Sequence, residues 1–105
     1  MSFDNDYAGV RHILTSPVLA TRAAPYIGDG DFDWPGLLAE AKTMSGGEQV
    51  LVRIAYDLWE AEGVTGIHEL PRRLDRRNFE RVLEAFELCR GDRVHHRLEE
   101  LRNAA

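Results

Sequence analysis

A single cysteine, Cys89, in 105 residues leaves no partner for an internal disulfide, so packing alone has to hold the fold. No apolar run approaches the ~18 residues that cross a bilayer. The opening stretch, MSFDNDYAGVRH, carries acids where a secretion signal carries bases ahead of an apolar segment. The expectation is a cytoplasmic protein without membrane contact. Lysine is nearly absent as well. Of thirteen basic residues only Lys42 is not arginine, and its context, EAKTMS, fits no GxxxxGK[ST] phosphate loop. No segment alternates apolar and polar residues strongly enough to specify a sheet, and no internal repeat recurs.

The composition, 44% hydrophobic and 30% charged, is that of a globular chain. A single domain of this length buries roughly two thirds of its extended-chain surface, enough for a core. The net charge of -5 is unevenly placed. Residues 1 to 69 hold eleven acids against four bases (-7), and residues 70 to 105 hold seven acids against nine bases (+2). An acidic whole argues against a general nucleic-acid coat and leaves room for a local basic face.

Periodicity organises the chain into helices. Tyr7, Val10, Ile13 and Leu14 have helical spacing over 3–15, weakened by Gly9 and ended by Ser16-Pro17. Pro25, Gly28 and Gly30 make 18–33 mostly irregular, with room for one short extended piece. Residues 1–33 therefore read as a less regular N-terminal arm, and 34–105 as a helical core. Asp33 stands as the N-cap of a short helix over 34–43 carrying Leu37, Leu38 and Ala41.

The stretch TMSGGEQVLVRIA has the SGG element of an ABC-type ATPase signature. That element needs a Walker A loop on a second, far larger nucleotide-binding domain, and none is encoded. Helix-start physics accounts for the likeness: Ser45 and Glu48 match the capping box. Behind it Val50, Leu51, Ile54, Ala55, Leu58 and Trp59, widened by Val52 and Tyr56, leave only Gln49, Arg53, Asp57 and Glu60 on a polar strip. This pattern predicts the most buried helix, over 46–62, with Gly63 as its stop. Ile67, Leu70 and Leu74 give a shorter helical piece. Asp75 caps a helix over 76–90 whose apolar positions are Phe79, Val82, Leu83, Phe86 and Cys89. A last helix, DRVHHRLEELRNAA, has a thin stripe of Val94, Leu98 and Leu101. The fold class is all-α, a compact bundle of four or five helices.

Chemistry-bearing patterns are few. Asp29, Asp31, Asp33 and Glu40 have EF-hand spacing, but the sharp-turn glycine is Trp34 and the entering helix is interrupted by Pro25 and Gly28. An acidic turn capping the next helix is the better reading. His95 and His96 point about 100° apart on a helix, and pairing each with Glu99 or Glu100 gives two ligands, short of a zinc site. Cys89 lies on an apolar face, where a small buried hydrophobe is the commoner role. Asp57, Glu60 and Glu62 read as solvated helix acids. No nucleophile with a base and no glycine-rich phosphate loop appears. The chain reads as a non-enzyme without cofactor or metal.

The sharpest feature is basic. In IHELPRRLDRRNFERVLEAFEL, the residues Arg72, Arg73, Arg76, Arg77, Asn78 and Arg81 gather around a helix, a tight turn and a second helix. Arginine suits guanine edges or phosphates and Asn78 suits adenine, as in a helix-turn-helix regulator. Asp75, Glu80, Glu84 and Glu87 lie on or near that surface and oppose this reading. Leu88 falls opposite Phe79, either covered by the last helix or exposed for a partner. A homodimer through Val94, Leu98 and Leu101 is a further arrangement, though under two heptads is too short for a coiled coil alone.

The runs FDWPGLLAEAKTMSGGEQVLVRIAYDLWEAEG and LDRRNFERVLEAFELCRG carry three motifs. These are an S-x-GE helix start (Ser45 to Glu48), an A-x-D-L-W end (Ala55 to Trp59) and an L-D-x-x-N-F-x-R-V-L-x-A helix (Leu74 to Ala85). With them, about half of the chain resembles small helical proteins of actinobacteria, their phages and mobile elements. The resemblance rests on caps and core positions, so it implies a helical fold and transfers no active site. The functional expectation is a non-enzymatic protein-interaction module, an accessory or host-modulating protein in that setting. The alternative is a small DNA-binding regulator using the 72–81 arginine cluster.

Overall fold

Asp4 and Asp6 stand in the first turn of a helix and Arg11 and His12 in its last, each where the helix dipole favours its charge. That helix, α1, spans Phe3–Leu14. The computed structural model describes residues 3–91. The predicted last helix, with Val94, Leu98, Leu101, His95 and His96, lies outside the described residues.

Beyond α1 come α2 (Ala20–Ala23), a 3-10 turn over Ala24–Tyr26, α3 (Trp34–Ala41), α4 (Gly46–Glu60), α5 (Glu69–Arg73) and α6 (Arg76–Cys89). The described chain is an all-α bundle. Its only extended pairing is an isolated antiparallel bridge between Ile27 and Phe32.

α1 and α4 share the centre of the bundle: α4, whose wide apolar arc predicts a central place, packs on α1, α3 and α5. α1 packs most extensively on α6 and next on α4, and its Val10, Ile13 and Leu14 are fully buried. α1 and α6 run antiparallel: Thr15 meets Arg81, His12 meets Glu84, and Gly9 meets Ala85 and Cys89. α4 contributes Val50, Leu51, Val52, Ile54 and Ala55 to the core, as its pattern predicted.

Residues 15–33, irregular apart from α2 and the 3-10 turn, are tightly docked. The Tyr7 hydroxyl donates to the Gly28 carbonyl at 2.7 Å. Arg22 donates to Glu40 through Nε (2.9 Å) and Nη2 (2.6 Å), tying α2 to α3. Phe32, only 9% exposed, lies within about 5 Å of three other rings, Tyr7, Trp34 and Trp59. Trp34 in turn meets Tyr56 edge-on.

The helix starts are those the sequence encodes. Asp33, Ser45 and Asp75 accept from the backbone N–H groups of Gly36, Glu48 and Asn78, and Glu48 returns a bond to the Ser45 N–H at 3.2 Å. Ser45→Ala leaves the Glu48 N–H without its acceptor, and we expect it to cost about 1 kcal/mol in urea unfolding.

The end of α4 differs from expectation. The left-handed cap falls on Ala61 (φ 58°), two residues before the predicted stop Gly63 (φ 70°). An alanine there carries a Cβ penalty that glycine escapes. Ala61→Gly is therefore expected to raise stability by about 1 kcal/mol, read as a higher Tm.

Candidate interaction surface

The basic cluster begins where α5 and α6 meet. Only Leu74 and Asp75 separate the two helices; Leu74 is buried and Asp75 is used as the α6 cap. The corner therefore points Arg72, Arg73, Arg76 and Arg77 into solvent, all four exposed. Arg76 also reaches Glu80 at 3.2 Å across one helical turn, a solvated pair of little energetic weight. Asn78 is half-buried and borders a shallow depression with Arg77, Glu80 and Pro17.

Two residues leave the predicted surface. Arg81 is half-buried and donates from Nε to the His12 carbonyl (2.7 Å) and from Nη2 to the Thr15 carbonyl (3.3 Å). It closes the C-terminal end of α1, where carbonyls lack helical partners and a cation is favoured. Leu88 is 7% exposed and faces α1, beside Tyr7, Ala8, Arg11 and His12. It is a core residue and offers nothing to a partner. Both were misplaced for one reason. α6 turns Arg81, Ala85, Leu88 and Cys89 toward α1, a face rotated from the stripe through Phe79 that had been read.

The exposed apolar surface lies elsewhere. Ile54 and Leu58 of α4, Leu70 of α5 and Phe86 of α6 line an open groove of about 270 Å³, with Asp57, Thr65 and Ile67 completing it. Ile67 is 84% exposed. Leu83, 44% exposed, lies one turn before Phe86 on the same helix face, and Val64, 47% exposed, stands in the same loop as Ile67.

Polar anchors shape this groove. Asp57, read as a solvated acid, accepts from the backbone N–H groups of Val64 (2.9 Å) and Thr65 (2.8 Å), folding the 61–68 loop back onto α4. Glu69 accepts from the Gly66 N–H at 3.1 Å and from Arg53 Nη2 at 3.0 Å. Ile67 is thus held out by a loop that is itself pinned. Its neighbours Leu70 and Leu74 follow helical spacing, but α5 has only five residues and Ile67 precedes it. The sequence signal that was available is Gly63 and Gly66 beside the β-branched apolar residues Val64 and Ile67, in a loop too short to bury both.

Neither a family model, nor a curated protein, nor a solved structure matches this chain. The surface has to be read from its own chemistry.

The groove is small for a small-molecule site, which typically offers about 300–1,000 Å³, and its open side suits an inserted side chain. The other candidate chemistries are occupied by structure. Asp33 caps α3, while Glu40 is held by Arg22 and by the Tyr26 hydroxyl at 3.3 Å rather than facing Asp29 and Asp31. Among the described residues no three His, Cys, Asp or Glu side chains gather as metal ligands. Burial, and then the Asp6 carboxylate, push the Cys89 thiol up, which keeps it protonated. Among the described residues no helix is long and apolar enough to cross a membrane.

The ion pairs set an acid limit. Hydrogen bonding from Arg22 holds the Glu40 carboxyl below its ordinary range against the opposing pull of desolvation. The Gly66 N–H, followed by Arg53, does the same for Glu69. A carboxylate depressed in the folded state contributes stability that is complete above its unfolded pKa, about 4.3, and is lost as pH falls through the lower folded value. Tm should therefore be insensitive to these groups near neutrality and drop in acid. Glu40→Gln with Glu69→Gln should flatten that drop, as measured by thermal unfolding from about pH 7 to pH 3.

Proposed function

We propose that the protein is a non-enzymatic protein-interaction module, and that the groove between α4, α5 and α6 receives an apolar helix face of a protein partner. The carrying observation is Ile67, 84% exposed at the mouth of an apolar groove and held there by Asp57 and Glu69. Removing an isoleucine side chain from water is worth about 1.5–3 kcal/mol, so docking over Ile67, Leu83 and Val64 would return what the free protein forgoes. The motifs over Ser45 to Glu48, Ala55 to Trp59 and Leu74 to Ala85 support an accessory or host-modulating role in a phage or actinobacterial setting.

The second reading is a DNA-binding regulator, favoured by the exposure of Arg72, Arg73, Arg76 and Arg77 at one helix corner. Weighing against it, Arg81 is spent on α1, α5 has only five residues, and Glu80 shares the surface. Two variants separate the readings: Ile67→Glu with Leu83→Glu, and the four exposed arginines changed to alanine. Partner capture from the source cells should be lost in the first and retained in the second. Mixed-sequence duplex binding that falls steeply with salt and disappears only in the arginine variant would replace the protein reading with the DNA one.

A further inference from the structure

We propose that the groove takes a second copy of the same chain, each copy inserting its Ile67 into the groove of the other about a two-fold axis. The inference rests on the groove being a docking site and names the partner that fills it when no other protein is present.

A two-fold interface uses the same patch on both subunits, so the patch has to carry both halves of every contact. This one carries a projection and a recess side by side. Ile67, 84% exposed, stands at the mouth of the groove left open by Ile54, Leu58, Leu70 and Phe86. Asp57 and Glu69, by accepting from Val64, Thr65 and Gly66, hold the Ile67 loop in place before any docking. Association therefore carries little of the ordering cost of a mobile loop.

The charges select the second copy over other occupants. α5 runs back along α4: Glu69 pairs with Arg53 half-way along α4, and Arg73 lies over Gly46 and Gly47 at its start. Arg72, Arg73, Arg76 and Arg77, all exposed, therefore stand beside the start of α4, where they outnumber Asp75 and Glu80. Glu60 and Glu62 are exposed where α4 finishes, and Asp57, one turn before Glu60, lines the groove. The 15 residues of α4, about 21 Å, separate the two ends. A partner of a single charge sign meets repulsion at one end of such a face. A copy turned end for end by a two-fold axis lays its arginine corner on the acidic end of its mate, and does so twice.

The test uses the full chain. Sedimentation equilibrium should show a reversible equilibrium between monomer and dimer. Ile67→Glu should weaken the dimer by about a hundredfold or more, since each dimer loses two buried isoleucines and would have to bury two charges. Charge reversal then tests the two-fold geometry. Glu60→Arg with Glu62→Arg sets arginine against arginine at both contacts, and Arg72→Glu with Arg73→Glu sets acid against acid. Each of these variants alone should dimerise about tenfold more weakly or worse. Mixed in equal amounts they should recover a heterodimer, because both contacts are again opposite in sign. In a mixed labelled and unlabelled wild-type sample, isotope-filtered spectra should place the Ile67 methyl beside Leu58 or Leu70 of the other copy.

A wild-type chain that stays monomeric at millimolar concentration, whatever covers Ile67, overturns the proposal. So does a dimer that survives Ile67→Glu, or a reversed pair that does not recover on mixing. Partner capture by the Ile67→Glu, Leu83→Glu variant is read on other proteins, so the groove can be a docking site and self-association still fail.

Discussion

Gly9→Ala should destabilise the protein by about 2 kcal/mol, although alanine improves helix propensity over glycine by about 1 kcal/mol. Gly9 lies in the middle of α1 where that helix crosses α6. A Cβ at Gly9 would run into Cys89 Sγ and would stand 2.7 Å from the Ala85 carbonyl oxygen. The sulfur belongs to a short buried side chain and the carbonyl to a helix backbone, so neither can step aside cheaply. The two helices have to part, and α1 with α6 is the most extensive contact in the bundle. For a chain of this size the loss corresponds to a fall in Tm of roughly 8–16 °C. Cys89→Ala combined with Gly9→Ala should recover part of it, because the sulfur is gone and the carbonyl remains. A double-mutant cycle by urea unfolding measures that coupling. Additivity of the two substitutions would show that the close approach is not what Gly9 supplies.

Phe32→Ala should cost more, about 3–5 kcal/mol. Phe32 sits outside any helix, yet its ring is stacked with Tyr7 at 5.1 Å, tilted to Trp34 at 5.3 Å and edge-on to Trp59 at 5.0 Å. Those three residues come from α1, α3 and α4. Removing the ring opens a cavity between three helices and releases the segment that carries it. Urea unfolding should show the loss, and near-UV circular dichroism should lose aromatic signal while the helical far-UV signal is kept. A loss under 1 kcal/mol would mean that residues 27–33 are a decoration of the bundle and carry none of it.

These two positions show where sequence reading stops. The caps at Asp33, Ser45 and Asp75 were legible because each is satisfied within three residues. The α4 core was legible because helical periodicity is local too. Gly9 reads as a weakness in a helix when only that helix is considered, and becomes a requirement once α6 is laid across it. Phe32, in an irregular stretch, follows no period, so nothing in its neighbourhood announces that it is buried. Arg81 and Leu88 sit off the Phe79 stripe, so Arg81 read as surface and Leu88 stayed open between covered and exposed, because the face that α6 turns to α1 is rotated from that stripe. The groove was invisible for the same reason: four separate elements build it, and the hydrogen bonds of Asp57 to Val64 and Thr65 decide where its loop lies.

The pairing of α1 with α6 also sets the order in which the protein can be made. Gly9 and Cys89, and His12 and Glu84, are neighbours in space and more than seventy residues apart in the chain. During synthesis α1 emerges early and finds the 28–32 segment and α4 to lie on, with its α6 face open to water. Closing the bundle waits for α6 to clear the ribosome, and the entropy of so long a loop has to be overcome at that moment. Until then an amphipathic helix with Val10, Ile13 and Leu14 is partly uncovered, which is the stage at which the chain is most prone to aggregate.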